Sequence, residues 1–180
     1  WHHLPMRRLE AEAIRDSMLG VAGRLDASLY GPPIDPARTA EDAAKRLVSG
    51  PLDGKGRRSL YLKMTLMEPP KFLALFNQPI PKLTAGRRDV TSVPDQALAL
   101  LNDPFVIALA QHWSERVMQE PAASPEQRVR RMFTAAFARP PQAEEAARLL
   151  KLAERSAKLR GAASAALLNC QPVWQDVAHA

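Results

Sequence analysis

Residues 84–105 read Thr84-Ala85-Gly86-Arg87-Arg88-Asp89-Val90-Thr91-Ser92-Val93-Pro94-Asp95-Gln96-Ala97-Leu98-Ala99-Leu100-Leu101-Asn102-Asp103-Pro104-Phe105, and this stretch decides the fold class. Its first third does not read as helix. A short apolar helix then starts at Pro94, whose fixed φ suits a first helical position. Ala97, Leu98, Leu100 and Leu101 leave that helix few polar positions, so burial on most sides is expected. Asn102-Asp103-Pro104 breaks it and opens another helix, with Asp103 as N-cap and Pro104 as first residue.

The helical reading continues outward in both directions. Downstream, Phe105, Leu109, Trp113 and Val117 fall on one face of a helix to Met118. Ser124-Pro125-Glu126-Gln127 has the form of a capping box opening a helix to about Phe137, with Val129, Met132, Phe133, Ala136 and Phe137 as its apolar face. Gln142 to Arg160 reads as a charged helix, and Ala162–Asn169 and Val173–His179 as two short final ones. Upstream, Met6 to Leu25 is expected as a helix, and Thr39-Ala40-Glu41-Asp42 opens a short one to about Val48. Pro69-Pro70 starts a helical turn through Phe76. Arg58 to Leu66 is the one strand expected, because Leu60, Leu62, Met64 and Leu66 alternate at period two. The expected class is therefore mainly α: one compact multi-helix domain over 1–180, with one or two short strands or extended arms, and a helical extension from about 124. The loops at 26–38 and 77–92 are expected to be ordered by packing.

Composition limits the chemistry. The 180 residues carry net charge +6, and the excess is localised: residues 51–90 hold eight Lys/Arg against three acids, +5 of the total. Anionic partners are the natural complement. Cys170 is the single cysteine and reads as a packed thiol. His2, His3, His112 and His179 show no ligand spacing, so no metal and no cofactor is expected in this chain. There is no phosphate loop, dinucleotide fingerprint, nucleophile elbow, Cys-x-x-Cys-His or nucleic-acid motif. No apolar run approaches a membrane span and no signal peptide is visible. The chain lacks an initiator Met and reads as a fragment at both ends.

Three ordered blocks resemble the PSD1 family, also called DUF1553. They are Arg7-Arg8-Leu9-Glu10-Ala11-Glu12-Ala13-Ile14-Arg15-Asp16, Gly56-Arg57-Arg58-Ser59-Leu60-Tyr61, and Arg87-Arg88-Asp89-Val90-Thr91 running into Val93-Pro94-Asp95-Gln96-Ala97-Leu98 and Asn102-Asp103. The likeness runs over about residues 5–110, with weaker agreement at Ala138-Arg139-Pro140-Pro141 and Trp174-Gln175-Asp176. It implies a planctomycete-type exported or cell-envelope protein. It also implies upstream domains in the same polypeptide, DUF1549-like and c-type cytochrome, and an accessory role toward redox partners or polysaccharides. No activity comes with the family name.

Arg57, Arg58, Arg87 and Arg88, with Asp89, Asn102 and Asp103, form the candidate ligand-binding set. Arginine's planar fork suits carboxylate, phosphate or sulfate, so an acidic protein or a sulfated glycan is the implied partner. The structural alternative pairs the inward arginines with carboxylates such as Asp89, Glu10, Glu12 or Asp103, and reads Asn102-Asp103 as helix capping. Glu10, Glu12 and Asp16 are the ion-pair candidates. Trp1, Trp113, Trp174, Tyr30 and Tyr61 are the aromatics available for a sugar or base platform, with Trp113 better placed for core packing. Two other functions stay open: a nucleic-acid-binding module, suggested by charge alone, and a hydrolase using Glu10 or Glu12 with Asp89 or Asp103. The expectation that ties these together is that acids of the first helix fix both double-arginine segments beside the helix break.

Overall fold

Prolines and polar caps set the helix starts. The computed structural model describes residues 7–39, 45, 47–66, 68–162 and 164–180, with backbone alone at 164–166. The α-helices among them are α1 (Ala11–Val21), α2 (Lys71–Leu75), α3 (Pro94–Asn102), α4 (Pro104–Gln119), α5 (Pro125–Phe137), α6 (Ala143–Leu159) and α7 (Gln171–His179). Short 3-10 turns cover Gly54–Gly56, Ser59–Tyr61 and Ser164–Asn169. The fold is mainly α. The helix expected from Thr39 to Val48 falls largely outside the described residues.

Two compact units make up the chain: Trp1–Gly20 with Arg24–Phe105, and Val21–Gly23 with Val106–Ala180. In the first unit, Ala11, Leu62, Leu73 and Phe76 are buried together, with Ile14, Phe72, Leu75 and Leu100 packed against them. The Phe72 ring meets Phe76 at 5.0 Å and Phe105 at 5.3 Å between centroids. In the second unit, α5, α6 and α7 enclose Val129, Met132, Ala153, Ala157, Val173, Trp174 and Val177. Trp174 is fully buried and its indole N–H donates to the Leu167 carbonyl at 2.9 Å. Trp113 and Cys170 pack at the margin of this core.

The local signals behave as capping chemistry requires. Asp103 Oδ1 accepts from the Phe105 amide at 2.8 Å, so Asp103 caps α4. Ser124 Oγ accepts from Gln127 N, and Gln127 Oε1 accepts from Ala123 N, which closes a reciprocal cap on α5. At α6, Glu145 accepts from the Gln142 amide and takes both Nη groups of Arg139. Those Arg139 hydrogen bonds, then the amide, hold the Glu145 carboxyl down to about 2 from 4.5. A carboxyl depressed in the folded state contributes stability that is present above pH 4.5 and lost as pH falls through 2. Helical ellipticity of the full chain should therefore fall in that window, and Glu145→Gln should flatten the fall. An identical acid profile in the variant would rule out Glu145 as its source.

Four expectations need correction. No strand forms at 58–66: Ser59–Tyr61 is a 3-10 turn, and the described residues hold two isolated parallel bridges, Asp26 with Arg57 and Ile34 with Leu62. The turn arises because the Ser59 amide and hydroxyl both bond Asp16 Oδ1 on α1, at 2.8 and 2.7 Å. Of the alternating residues only Leu62 is buried, and Leu60 is 75% exposed. Helix α3 is not buried on most sides, since Leu98 and Leu101 face solvent. It packs through one face, where Gln96 is buried and Leu100 meets the core. Helix α1 ends at Val21, short of Leu25, because the Arg24 amide bonds the Leu19 carbonyl and turns the chain. On α5, Phe137 lies on the exposed surface beside Phe133, immediately before Ala138 ends the helix in a left-handed conformation.

Candidate functional site

The first unit is organised by α1. Ala11, Arg15 and Leu19 recur at a spacing of four and all three are buried, so a guanidinium sits on the apolar stripe. Arg15 Nη1 donates to the Arg57 carbonyl at 2.9 Å and to Ser59 Oγ at 3.2 Å, and Nη2 donates to the Asp53 carbonyl at 2.7 Å. Its guanidinium also stands over the Phe105 ring at 5.5 Å. Burial lowers its pKa, opposed by the charges of Asp16 and Asp53. On the next faces, Asp16 takes Ser59 and lies 4.0 Å from Arg58, while Glu12 takes Arg88 through two hydrogen bonds of 2.7 and 3.1 Å. Arg88 also lies 3.3 Å from Glu10. Burial alone would raise the Glu12 carboxyl, but the Arg88 hydrogen bonds and charge outweigh it and hold the carboxyl below its usual range.

Both double-arginine segments thus meet acids of the first helix. They do so through one member each, Arg58 at Asp16 and Arg88 at Glu12, with Glu10, immediately before the helix, also beside Arg88. A reverse tie runs from Arg8, which donates to Gln96 Oε1 at 2.7 Å and to the Thr91 carbonyl. Gln96 in turn donates to the Leu75 carbonyl at 2.9 Å. The remaining candidates have simple placements. Arg87 and Asp89 are exposed. Asn102 bonds the Leu98 carbonyl of its own helix, and Asp103 is the cap of α4.

Arg57 has a different task. It is 9% exposed and donates to the Ser28 and Tyr30 carbonyls at 2.9 and 2.5 Å. Its guanidinium lies 3.9 Å from the centroid of Tyr61, whose hydroxyl accepts from the Tyr30 amide at 2.7 Å. Tyr30 is therefore gripped at both backbone groups and held at φ 66, in the left-handed region. A bulky residue rarely adopts that conformation unless its surroundings over-determine it. The side chain that results is 81% exposed.

Beside Tyr30 lies a cleft of about 560 Å³ lined by Pro32, Pro33, Asp35, Ser49, Lys55 and Arg57, among others. That volume is within the usual range for small-molecule sites. The walls are drawn together at Gly50, where an added Cβ would sit 1.7 Å from the Asp35 carbonyl oxygen. Outside the cleft, Gly56 (φ 73) fixes the 53–59 segment against the chain at Arg24, where a Cβ would sit 2.0 Å from the Arg24 carbonyl oxygen. Lys63 neutralises Asp35 at 3.2 Å, and no salt bridge occupies Lys55 among the described residues. The cleft can stack a ring or sugar face on Tyr30 and meet an anion with Lys55, while Arg57, engaged by the Ser28 and Tyr30 carbonyls and 3.7 Å from Asp26, adds positive charge behind the wall. Of its parts, Arg57 stood in the sequence-derived site. Lys55 entered only the charge count and Tyr30 only the inventory of aromatics, although Tyr30-Gly31-Pro32-Pro33 already carries a turn signal ahead of a basic segment.

A mainly α domain whose ordered Arg-rich blocks converge on its first helix is the class this geometry defines. The chain belongs to the PSD1 family, "Protein of unknown function (DUF1553)", whose family model matches residues 1–153. No curated protein and no solved structure matches it. The match spans all three blocks, so the hydrogen bonds of Arg8, Arg15, Arg57, Ser59, Arg88 and Gln96 give those family residues a structural role. Among the described residues no helix is long and apolar enough to cross a membrane.

Proposed function

We propose that this chain is a binding domain of a larger exported protein, and that its cleft takes an anionic saccharide, a sulfated chain above all. The observation that carries the reading is Tyr30: an exposed aromatic in a constrained backbone conformation beside the cations Lys55 and Arg57. Proline and tyrosine faces suit the apolar side of a sugar ring, and guanidinium and ammonium groups suit sulfate. The acids of α1 are committed to Arg88, Arg58 and the Ser59 amide, which supports a binding role over acid–base chemistry. Downstream of DUF1549-like and c-type cytochrome domains, the arrangement that the family resemblance implies, such a domain would hold the polypeptide on an envelope or environmental polysaccharide.

Titration of the chain with a sulfated oligosaccharide, its desulfated counterpart and polyglutamate, at fixed ionic strength, tests this. Saturable binding of the sulfated form is expected, weakening as salt rises. Tyr30→Ala should weaken it about tenfold, equivalent to ~1.4 kcal/mol, and Lys55→Ala by a similar factor. Equal binding of the desulfated form, or an unchanged affinity in Tyr30→Ala, would overturn the reading. Preference for polyglutamate would replace the saccharide with an acidic protein.

A further inference from the structure

The second unit holds a cationic pocket that the first-unit cleft does not involve. Trp113, Arg116, Val117, Glu120, Arg128, Arg131 and Met132 line a cavity of about 30 Å³ between α4 and α5. Arg128 is 5% exposed. It donates to the Leu168 carbonyl, more weakly to the Glu120 carbonyl, and to the Met118 sulfur. Arg131 donates to the Pro121 carbonyl. Among the described residues none of Arg116, Arg128 and Arg131 forms a carboxylate ion pair, so three guanidinium charges share a pocket with the single acid Glu120.

The donors are also incompletely used. Trp113 Nε1, Arg116 Nε and Arg128 Nε are all buried without a hydrogen-bond acceptor. Buried polar groups in folded proteins nearly always have a partner, and a buried cation without a counter-charge is more costly still. Arg116 is pinned in place: a Cβ on Gly23 would lie 2.5 Å from its Nη1, so the guanidinium rests directly on that backbone. Burial, then the like charge of Arg131, pushes the Arg128 pKa down, with Glu120 opposing. Uncompensated positive charge and a small recess occur at one place, beside buried N–H donors that leave the cluster short of negative partners.

We propose that the pocket formed by Trp113, Arg116, Arg128 and Arg131 binds a small tetrahedral oxyanion of the phosphate or sulfate class. The anion supplies the missing negative charge to the three guanidinium groups, and it links α4 to α5. The inference is independent of the cleft at Tyr30, which lies in the other unit.

The test uses the full chain and inorganic phosphate, followed by thermal unfolding and by tryptophan fluorescence, with sodium chloride at matched ionic strength as control. Phosphate should raise Tm saturably, with Kd about millimolar or tighter, and should change the fluorescence in parallel. Trp113→Phe should remove most of the fluorescence response, the remainder coming from Trp174, whose ring centroid lies 5.1 Å from the Arg128 guanidinium. Arg116→Gln and Arg131→Gln should each weaken binding by about tenfold or more. Both avoid the buried Arg128, whose loss could prevent folding, and circular dichroism confirms that each variant is folded. A Tm rise that chloride reproduces, or a phosphate affinity unchanged in both folded variants, would overturn the proposal. Sulfate in place of phosphate identifies which oxyanion the pocket prefers. Tyr30→Ala should leave phosphate binding intact, which separates failure of this site from failure of the cleft.

Discussion

Replacing Arg15 with alanine destabilises the first unit by about 3–5 kcal/mol, the range for breaking a buried charged network. Arg15 supplies the donors for the Arg57 and Asp53 carbonyls and for Ser59 Oγ. Removing it leaves the Arg57 carbonyl without its donor, at about 1–3 kcal/mol when no water can reach it, while the Asp53 carbonyl keeps the Gly56 amide and Ser59 Oγ keeps Asp16. It also removes the cation beside the Phe105 ring and empties volume on the Ala11–Leu19 stripe. Arg15→Met separates these contributions, since it keeps most of the volume and loses every donor. Both variants should speed amide exchange at Gly56 and Ser59, where α1 meets the 53–59 segment. Arg15→Lys should recover little, because one ammonium cannot reproduce the fork. Unfolding free energies within about 0.5 kcal/mol of the parent, the range of a plain surface substitution, would show that Arg15 is not what holds the unit together.

Trp174→Ala has a comparable effect on the second unit. The indole is completely buried among Val129, Met132, Ala153 and Val177, and it donates to the Leu167 carbonyl. Large-to-small replacement of this kind costs about 3–5 kcal/mol, from lost transfer energy and the cavity left behind. The Leu167 carbonyl would in addition lose its indole donor and keep only the longer bond from the Cys170 amide, at 3.4 Å. Trp174→Phe should cost less, because it retains most of the volume and forfeits the hydrogen bond. Hydrogen exchange should report the loss in α5, α6 and α7. Exchange rates in those helices that match the parent would place the centre of that core elsewhere.

Helix starts were legible because their causes are local. Pro94, Asp103-Pro104 and Ser124-Pro125 carry their own stereochemistry and caps, and each opens a helix where the chain says it should. The 58–66 segment was not legible for the opposite reason. Its alternation of leucines is a true pattern, but the path is set by Asp16 and Arg15, more than forty positions away in sequence. Tertiary contacts of that kind override period two. Arg15 could have been found: it occupies an apolar stripe at the spacing Ala11, Arg15, Leu19, and a guanidinium there must find acceptors. The association of both double-arginine segments with α1 was foreseeable from charge complementarity. The division of labour within each pair was not. Arg57 turns away from the acids of α1 to clamp the Ser28–Tyr30 carbonyls, and Arg87 stays at the surface. Nor does any rule of spacing predict the left-handed Tyr30, which is the product of Arg57 and Tyr61 acting on it from 27 and 31 positions away.

The most direct test of the account is a map of where a sulfated disaccharide lands. Chemical-shift changes in the isotopically labelled chain should centre on the amides of Tyr30, Gly31 and Lys55 and on the Arg57 guanidinium, and Tyr30→Ala should move their saturation to about tenfold higher ligand concentration. Shifts confined to the exposed Lys82–Arg87 segment, or no saturable shifts at all, would contradict it.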